Sequence, residues 1–471
     1  MSRKKGDSRD QYHIHLNGMI SRLKNNLMRD GIGARASRGA LLTVLNFGGT
    51  SGLRLFSNLV LTRLLFPEAF GLMALIQVVI AAATMFSDFG LREGIIQDKR
   101  GEEQAFLDTA WTLQNVRGWF LGTIIYLSAS PIAVFFDTPQ LTQMLHFSAV
   151  IPVLQGFNSL GMHTANRQLL LGRLTSLALV SQLIGAITMI VLAYILQSVW
   201  ALVYGTIVGA VAHTIISHLW LPLKTNWFTL EADATKRLFS YGKYIFLATV
   251  AGFFVNQGDK LVLGKFVSLE ELAIYNIAFF LATVPLLLAF AINDNVMFPL
   301  YRHRPPGDSA DNKTKLDRAR FAVTGTLFAG IAVIVLIGDG LIQILYDARY
   351  YSAGPVLIMI ALASMPRLIM LSYEKVPLAF GNSKSFSFFK VSTAILQFGL
   401  TIVGVQQFGL PAAILAPTIT ALIAYPFLIK IANTYDAWSP KHDAVFACIF
   451  LVVAAIVFWL HGDLFQFSRN L

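Results

Sequence analysis

Stretches of about 20 consecutive, mostly apolar residues recur along nearly the whole chain, each long enough at 1.5 Å per residue to cross a hydrocarbon layer of roughly 30 Å. A segment in lipid must satisfy its own backbone N–H and C=O groups, so only helices or a closed barrel can be built from such stretches. Barrel strands read as segments of about ten residues that alternate apolar and polar, and the runs from Ile187 to Leu196 and from Phe321 to Leu336 do not alternate. The expected fold class is therefore an all-α polytopic membrane protein. Composition agrees, since 55% of the 471 residues are hydrophobic and only 13% charged, against roughly 25% charged in a soluble domain.

Apolar windows and their polar breaks place spans near 38–62, 70–91, 109–136, 141–164, 174–196, 199–222, 239–263, 271–299, 319–345, 353–373, 386–406, 409–430 and 443–461. With the basic N-terminal tail inside, Lys and Arg alternate between the loops. Lys99, Arg100, Arg167, Arg173, Lys224, Lys236 and Arg237 fall inside, as do the cations of the loop from Tyr301 to Arg320 and later Lys375, Lys384, Lys430 and Lys441. The outside loops offer Arg63, Lys265, Arg349 and Arg469. This asymmetry predicts twelve to thirteen transmembrane helices with a cytoplasmic N-terminus, because one missed helix would invert every later loop. No cleavable signal segment is read in the first 38 residues, so the first span is expected to direct insertion.

Several function classes lose their residues at this point. The single cysteine, Cys448, leaves no disulfide framework or multi-cysteine metal site. The net charge of +11 is spread over short loops and forms no single patch, so nucleic acid is not an expected partner. No GxxxxGK[ST], HExxH or GxSxG pattern occurs, which removes nucleotide hydrolysis and the commoner hydrolase chemistries. No cofactor is expected, and energy would come from a proton or sodium gradient. His213 and His218, five apart, diverge on a helix and make no metal site with a third ligand.

An internal repeat appears when residues 59–73, LVLTRLLFPEAFGLM, are laid over 261–275, LVLGKFVSLEELAIY. Arg63 falls on Lys265 and Glu68 on Glu270, six spans apart and hence in the same orientation. The expected division is a basic tail at 1–37, a six-helix lobe at 38–223, a cytoplasmic linker at 224–238, a second six-helix lobe at 239–435, and an extra helix within 436–471. The lobes would stand in pseudo-twofold relation around a central cavity. Gly48 with Gly52, and Gly205 with Gly209, make small-xxx-small patterns expected to pack helices closely.

The wording YGKYIFLATVAGFFVNQGDKLVLGKFVSLEELAIYNIA at 241–278, and LLFPEAFGLMALIQ followed by SDFGLREGIIQ within 64–97, resembles the polysaccharide transporter family of the multidrug/oligosaccharidyl-lipid/polysaccharide exporter superfamily, which includes the Wzx-type flippases. The resemblance covers roughly 38–435. It implies a flippase that moves undecaprenyl-diphosphate-linked repeat units across the inner membrane for O-antigen, capsule or exopolysaccharide assembly. Its partners would be the lipid-linked oligosaccharide, membrane lipids, and the polysaccharide polymerase and export machinery. Family members mostly have twelve or fourteen spans, so a thirteenth is a departure. If the family fold holds, span 1 with span 8, and span 2 with span 7, border lateral gaps for the lipid tail.

Five cations, Arg54, Arg117, Lys243, Lys260 and Arg367, fall inside expected spans, where each costs about 2.5–3.5 kcal/mol and seldom faces lipid. Arg54 and Asn58 share one face of the first span, and the repeat maps them onto Asn256 and Lys260. Arg54, Asn58, Arg117, Asn256, Lys260 and Arg367 are the candidate substrate-binding residues, because guanidinium and ammonium donors can replace the hydration of a diphosphate. The plainer alternative is structural: Lys260 adjoins Asp259, and Lys243 can snorkel to the interface. Asp88 and Arg92, one turn apart, suggest an ion pair that serves packing or latches the lobes, while Asp259 and Asp294 are candidate ion-coupling carboxylates. Two rival functions stand beside the flippase. A multidrug exporter of lipophilic cations should carry more intramembrane carboxylates, and a membrane polymerase or ligase should carry a long outside loop.

Overall fold

The computed structural model describes residues 32–88, 90–168, 170–221 and 226–460, so most of the expected basic tail lies outside the described residues. Every described regular element is helical. The helices are α1 (Ile32–Leu64), α2 (Pro67–Met85), α3 (Leu91–Gln97), α4 (Gln104–Phe135), α5 (Gln140–Ser148), α6 (Val150–Gly156), α7 (Gly161–Arg167), α8 (Leu171–Leu196) and α9 (Trp200–Trp220) in the first half. The second half holds α10 (Ala232–Phe266), α11 (Leu269–Ala282), α12 (Val284–Ile292), α13 (Phe298–His303), α14 (Ala310–Leu345), α15 (Ala353–Glu374), α16 (Val376–Ala379), α17 (Ser383–Phe408), α18 (Leu410–Asn433) and α19 (Pro440–Leu460). A π-helical turn, Asn293–Met297, joins α12 to α13.

All thirteen expected spans coincide with helix, but not all as single apolar rods. Among the described residues nine helical stretches are long and apolar enough to cross a membrane, and the bent pair α11–α12 raises this to ten. The helices α1 and α10, 33 and 35 residues long, have the length but carry charge along it, including Arg54, Asp259 and Lys260. The span expected at 141–164 is instead divided among α5, α6 and α7, none longer than nine residues. Pro152 removes a backbone donor there, and the backbone N–H of Ser159 turns to the Ser217 hydroxyl of α9 at 3.0 Å. The span expected at 70–91 stops at Met85, because Gly90 takes a left-handed conformation (φ 63°) and starts the separate helix α3.

Between helices in lipid the apolar transfer term nearly vanishes, so close van der Waals packing must hold the fold. The hairpin α8–α9 packs on α1, and its two helices meet where a Cβ on Gly209 would stand 3.4 Å from the Gly185 Cα. The expected packing role of Gly205 and Gly209 is thus observed, whereas Gly48 and Gly52 face open space. In the second half α10 packs on α17, α17 on α18, α18 on α15, and α15 on α14, with α19 laid against α14 and α15. The helix α2 packs along α10 and α11, so the border expected to open between spans 2 and 7 is closed. Gly71 allows this approach: a Cβ there would stand 2.1 Å from the carbonyl oxygen of Leu269.

Arg320, read from the sequence as a loop cation, is instead inside α14 and only 1% exposed. It stacks on the Tyr373 ring at 4.5 Å and donates to the Tyr301 hydroxyl at 2.6 Å, the Ala437 carbonyl at 2.8 Å and Asp317 at 2.8 Å. Tyr373 in turn donates to Asp443 at 2.7 Å, which also accepts from Tyr425 and the Trp438 indole. This polar chain fastens the start of α19 to the second half.

Candidate functional site

Helices from both halves converge on two adjoining chambers at the centre of the molecule, of about 310 and 500 Å³, within the size range of ligand sites. Arg54, Gln182, Asn276 and Phe280 line both. The first chamber lies mainly among α1, α2, α8 and α9; the second is walled by α10, α11, α12, α15, α17 and α18 with α1 at its edge. The wall is broken where it matters, for α11 and α12 meet at 48° around Thr283. Discontinuous helices are how membrane proteins present ligand-facing backbone without exposing it to lipid.

The second chamber gathers three of the expected cations. The Arg54 guanidinium lies 4.9 Å over the Phe280 ring, the Lys260 ammonium 5.3 Å over Phe279, and the Arg367 guanidinium 5.6 Å over Phe290. All three rings belong to the bent pair α11–α12, so one broken helix backs every cation. Among the described residues none of the three forms an ion pair or a hydrogen bond. Ring faces attract such cations by about 0.5–2 kcal/mol without accepting a hydrogen bond in the plane of the guanidinium. The donors therefore stay available to an anion.

Asp259 also lines this chamber and is 7% exposed. One carboxylate oxygen accepts from the Tyr275 hydroxyl, while the other has no partner among the described residues. Asn256 reaches the same chamber and donates to the Gly252 carbonyl at 2.8 Å, and Asn58 lines the first chamber. The faces that the repeat predicts, Arg54 with Asn58 and Asn256 with Lys260, are thus brought to two adjoining chambers that Arg54 joins.

Other expected site residues are not. Arg117 turns from α4 to the end of α2, where it donates to the Ser87 hydroxyl at 2.9 Å and the Thr84 carbonyl, so it secures a helix end outside both chambers. Asp88 and Arg92 form no ion pair; Asp88 accepts from the Gly90 backbone at 2.9 Å, and the intervening left-handed turn places Arg92 on a different helix, exposed. The side chains of Asp294 and Lys243 lie outside the described residues. His213 lies 3.4 Å from the Asn158 side chain and His218 2.8 Å from the Phe157 carbonyl, and among the described residues no acidic, cysteine or histidine cluster could hold a metal.

Residues that hydropathy does not single out complete the void. Gln77, Asn276 and Asn58 line the first chamber and make no side-chain hydrogen bond to a described residue, and Gln182 donates to the Thr50 carbonyl at 2.9 Å. At the end of the molecule near residue 100, Arg100 binds Glu231 at 2.7 Å and Asp233 at 3.0 Å, linking the first half to the start of α10. Its hydrogen bond holds the Glu231 carboxyl below the usual range, and Asp233 is lowered first by Arg237 and then by Arg100.

Over residues 60–355 the chain matches a family described as polysaccharide biosynthesis protein. It is 22% identical over 330 residues to the teichuronic acid biosynthesis protein TuaB of Bacillus subtilis (strain 168). Identities are 20% over 328 residues to the succinoglycan biosynthesis transport protein ExoT of Rhizobium meliloti (strain 1021), and 21% over 328 to the lipopolysaccharide biosynthesis protein WzxC of Escherichia coli (strain K12). These matches take in 69%, 68% and 68% of this chain but 67%, 64% and 64% of the relatives, so they span about two thirds of the relatives' length. In fold the chain is similar to the lipid II flippase MurJ in an inward closed conformation, with TM-score 0.69, 12% identity, and coverage of 92% of this chain and 100% of that one. An inward-facing multidrug resistance transporter of the MATE family gives TM-score 0.59, 14% identity and coverage of 85% and 99%.

Proposed function

We propose, from the premise that this chain belongs to the polysaccharide biosynthesis protein family, that it is a flippase carrying undecaprenyl-diphosphate-linked oligosaccharides from the cytoplasmic to the outer leaflet of the bacterial inner membrane. The observation that carries the reading is the trio Arg54, Lys260 and Arg367, each backed by a phenyl ring and none paired with a described carboxylate. A diphosphate entering the void loses hydration, and these donors replace it with charge-assisted hydrogen bonds. Arg54 reaches in from the first half while Lys260 and Arg367 come from the second, so a headgroup held by all three bridges the halves. Alternating access follows if the halves rock about that bridge while the polyprenyl tail stays in lipid. Asn58 and Asn256 serve as neutral contacts, and Asp259, with one oxygen unpartnered, is the carboxylate through which a proton or sodium gradient would act.

Conveyance of lipophilic cations, suggested by the likeness to the MATE transporter, fits less well. The second chamber holds three cations and one carboxylate, which repels such cargo. Names of the relatives refer to teichuronic acid, succinoglycan and lipopolysaccharide, three different glycans, and so support the lipid-linked class without selecting a sugar.

The test is leaflet translocation of a fluorescent undecaprenyl-diphosphate oligosaccharide in proteoliposomes. Intact protein should flip it, and Arg54→Ala and Lys260→Ala should each lose at least about tenfold in rate, the size expected for a hydrogen bond to a charged group. Failure of the intact protein to move this lipid under any imposed ion gradient would sink the assignment.

A further inference from the structure

The two chambers differ in chemistry although the chain repeats itself. The repeat offset that lays Arg63 on Lys265 also lays Gln77 on Phe279 and Ala74 on Asn276. Phe279 is the ring beneath Lys260 in the second chamber, whereas Gln77, at the equivalent place in α2, presents an amide to the first. Lys260, Arg367 and Asp259 all line the second chamber only, and the first contains no carboxylate and no Lys or Arg except Arg54 at the shared boundary.

In place of charge the first chamber offers amides with unspent bonding capacity. Asn58 from α1, Gln77 from α2 and Asn276 from α11 make no side-chain hydrogen bond to a described residue, and each amide supplies two donors and an acceptor with two lone pairs. The hydroxyls nearby are already engaged: Ser57 donates to the Leu53 carbonyl at 2.7 Å, Ser181 to Leu177 at 2.7 Å and Thr206 to Leu202 at 2.7 Å. Gly185, Gly205 and Gly209 bring α8 and α9 together behind the chamber, whose wall there is completed by Met189, Leu202 and Thr206. Neutral planar amides converging from three helices on a void of about 310 Å³ match a ligand rich in hydroxyl and acetamido groups and match an anion poorly.

We propose that the first chamber is a glycan subsite, in which Asn58, Gln77 and Asn276 bind the sugar residues next to the diphosphate, with Arg54 at the boundary holding the adjoining phosphate. This rests on the flippase reading and adds a division of labour to it: the second chamber holds the charge, and the first chamber reads the sugar. Gln77 and Asn276 are specificity-determining residues, since an amide matched to a hydroxyl is left unpaired by a cargo that lacks it.

The experiment compares equilibrium binding of two probes to the full-length protein in nanodiscs, bare undecaprenyl diphosphate and the same lipid carrying a disaccharide. Intact protein should bind the sugar-bearing probe more tightly. Gln77→Leu, close in volume to the native residue, should lose about tenfold for that probe with the bare lipid changed less than about twofold, and Asn276→Leu, at the boundary of the two chambers, should lose more for the sugar-bearing probe than for the bare lipid. Arg367→Gln should weaken both probes alike. Asn58→Leu stands in for either amide variant should one fail to insert. Equal affinity of the intact protein for the two probes, or equal losses for both in the amide variants, overturns the glycan subsite and leaves the flippase reading in place. Binding of neither probe by the intact protein overturns the flippase reading and the subsite with it.

Discussion

Lys265 and Asp137 form an ion pair of 2.6 Å that joins the end of α10 to the corner between α4 and α5, across the two halves of the molecule. Laying the repeat on itself turns Lys265 into Arg63 and, by fold position, the Asp137 corner into the Asp347 corner, each following a buried aromatic cap residue, Phe136 or Tyr346. The second corner makes its own contacts: Arg349 donates to the carbonyls of Thr62 at 3.1 Å and Arg63 at 3.4 Å, and Tyr350 donates to Leu65 at 3.1 Å. Two related cross-half contacts therefore close this end.

Breaking the first of them should shift conformation more than stability. The side chains of Lys265 and Asp137 are 30% and 77% exposed, so the pair contributes at most about 1 kcal/mol, or up to about fivefold in an open-to-closed ratio. In a Cys448→Ser background, spin labels at positions 140 and 270 should report a larger long-distance population in Lys265→Glu. Lys265→Glu with Asp137→Lys should restore the short distance.

Gly71→Val should act at the same end by sterics. Any Cβ there meets the Leu269 carbonyl oxygen at 2.1 Å, and backbone cannot yield as a side chain tip can. The variant should hold α2 and α11 apart, giving the long label distance with or without substrate and a transport rate reduced at least about tenfold.

At the opposite end, the Arg100 clamp should respond to acid. Glu231 and Asp233 both titrate below their ordinary values, so their contribution is fully present above the unfolded carboxylate range, about pH 4, and is lost as pH falls through the lowered values. Limited proteolysis around residue 231 should therefore be slow at pH 7 and accelerate below about pH 4. Glu231→Gln should be cut faster than the intact protein at pH 7 and show a smaller change with acid.

Arg320→Leu should be among the most destabilising single changes, by about 3 kcal/mol in unfolding free energy measured in detergent, because it strips a buried Tyr301 hydroxyl and the Ala437 carbonyl of their donor. Arg320→Lys should recover little, since a single ammonium cannot reproduce the planar fork and the stacking on Tyr373. Full recovery by lysine would contradict this account.

The sequence carried the class of fold and part of the site because lipid makes charge conspicuous. Arg54 and Lys260 stand out in apolar runs, and the repeat alone places them on matching faces. Hydropathy gives depth along a helix but no azimuth, so it does not separate Arg117, which turns to the end of α2, from the cations that face a chamber. Asp88 and Arg92 have helix spacing, yet the left-handed Gly90 between them ends one helix and begins another. Gln77 and Asn276 are not legible in the sequence because a neutral amide scarcely perturbs an apolar window, and only the convergence of α2 and α11 reveals them. Polarity at 310–320 looks the same whether the chain is solvated or begins a long helix under a tyrosine cluster, so the burial of Arg320 is not legible in the sequence.

Under the proposed flippase function, cations seated on phenyl rings also bear on how voltage would enter a transport cycle. Counted as formal charges, the three cations Arg54, Lys260 and Arg367 and the one carboxylate of the second chamber sum to an excess of about two positive charges, about what a diphosphate diester neutralises. With no coupling ion on Asp259, the loaded carrier would then cross as an electroneutral body, indifferent to membrane potential. Its empty return moves charge through the field, at up to about 2.3 kcal/mol per elementary charge per 100 mV. On a membrane negative inside, that potential drives the vacant site back toward the cytoplasm, so polarisation would speed recovery of the carrier and leave the loaded step untouched.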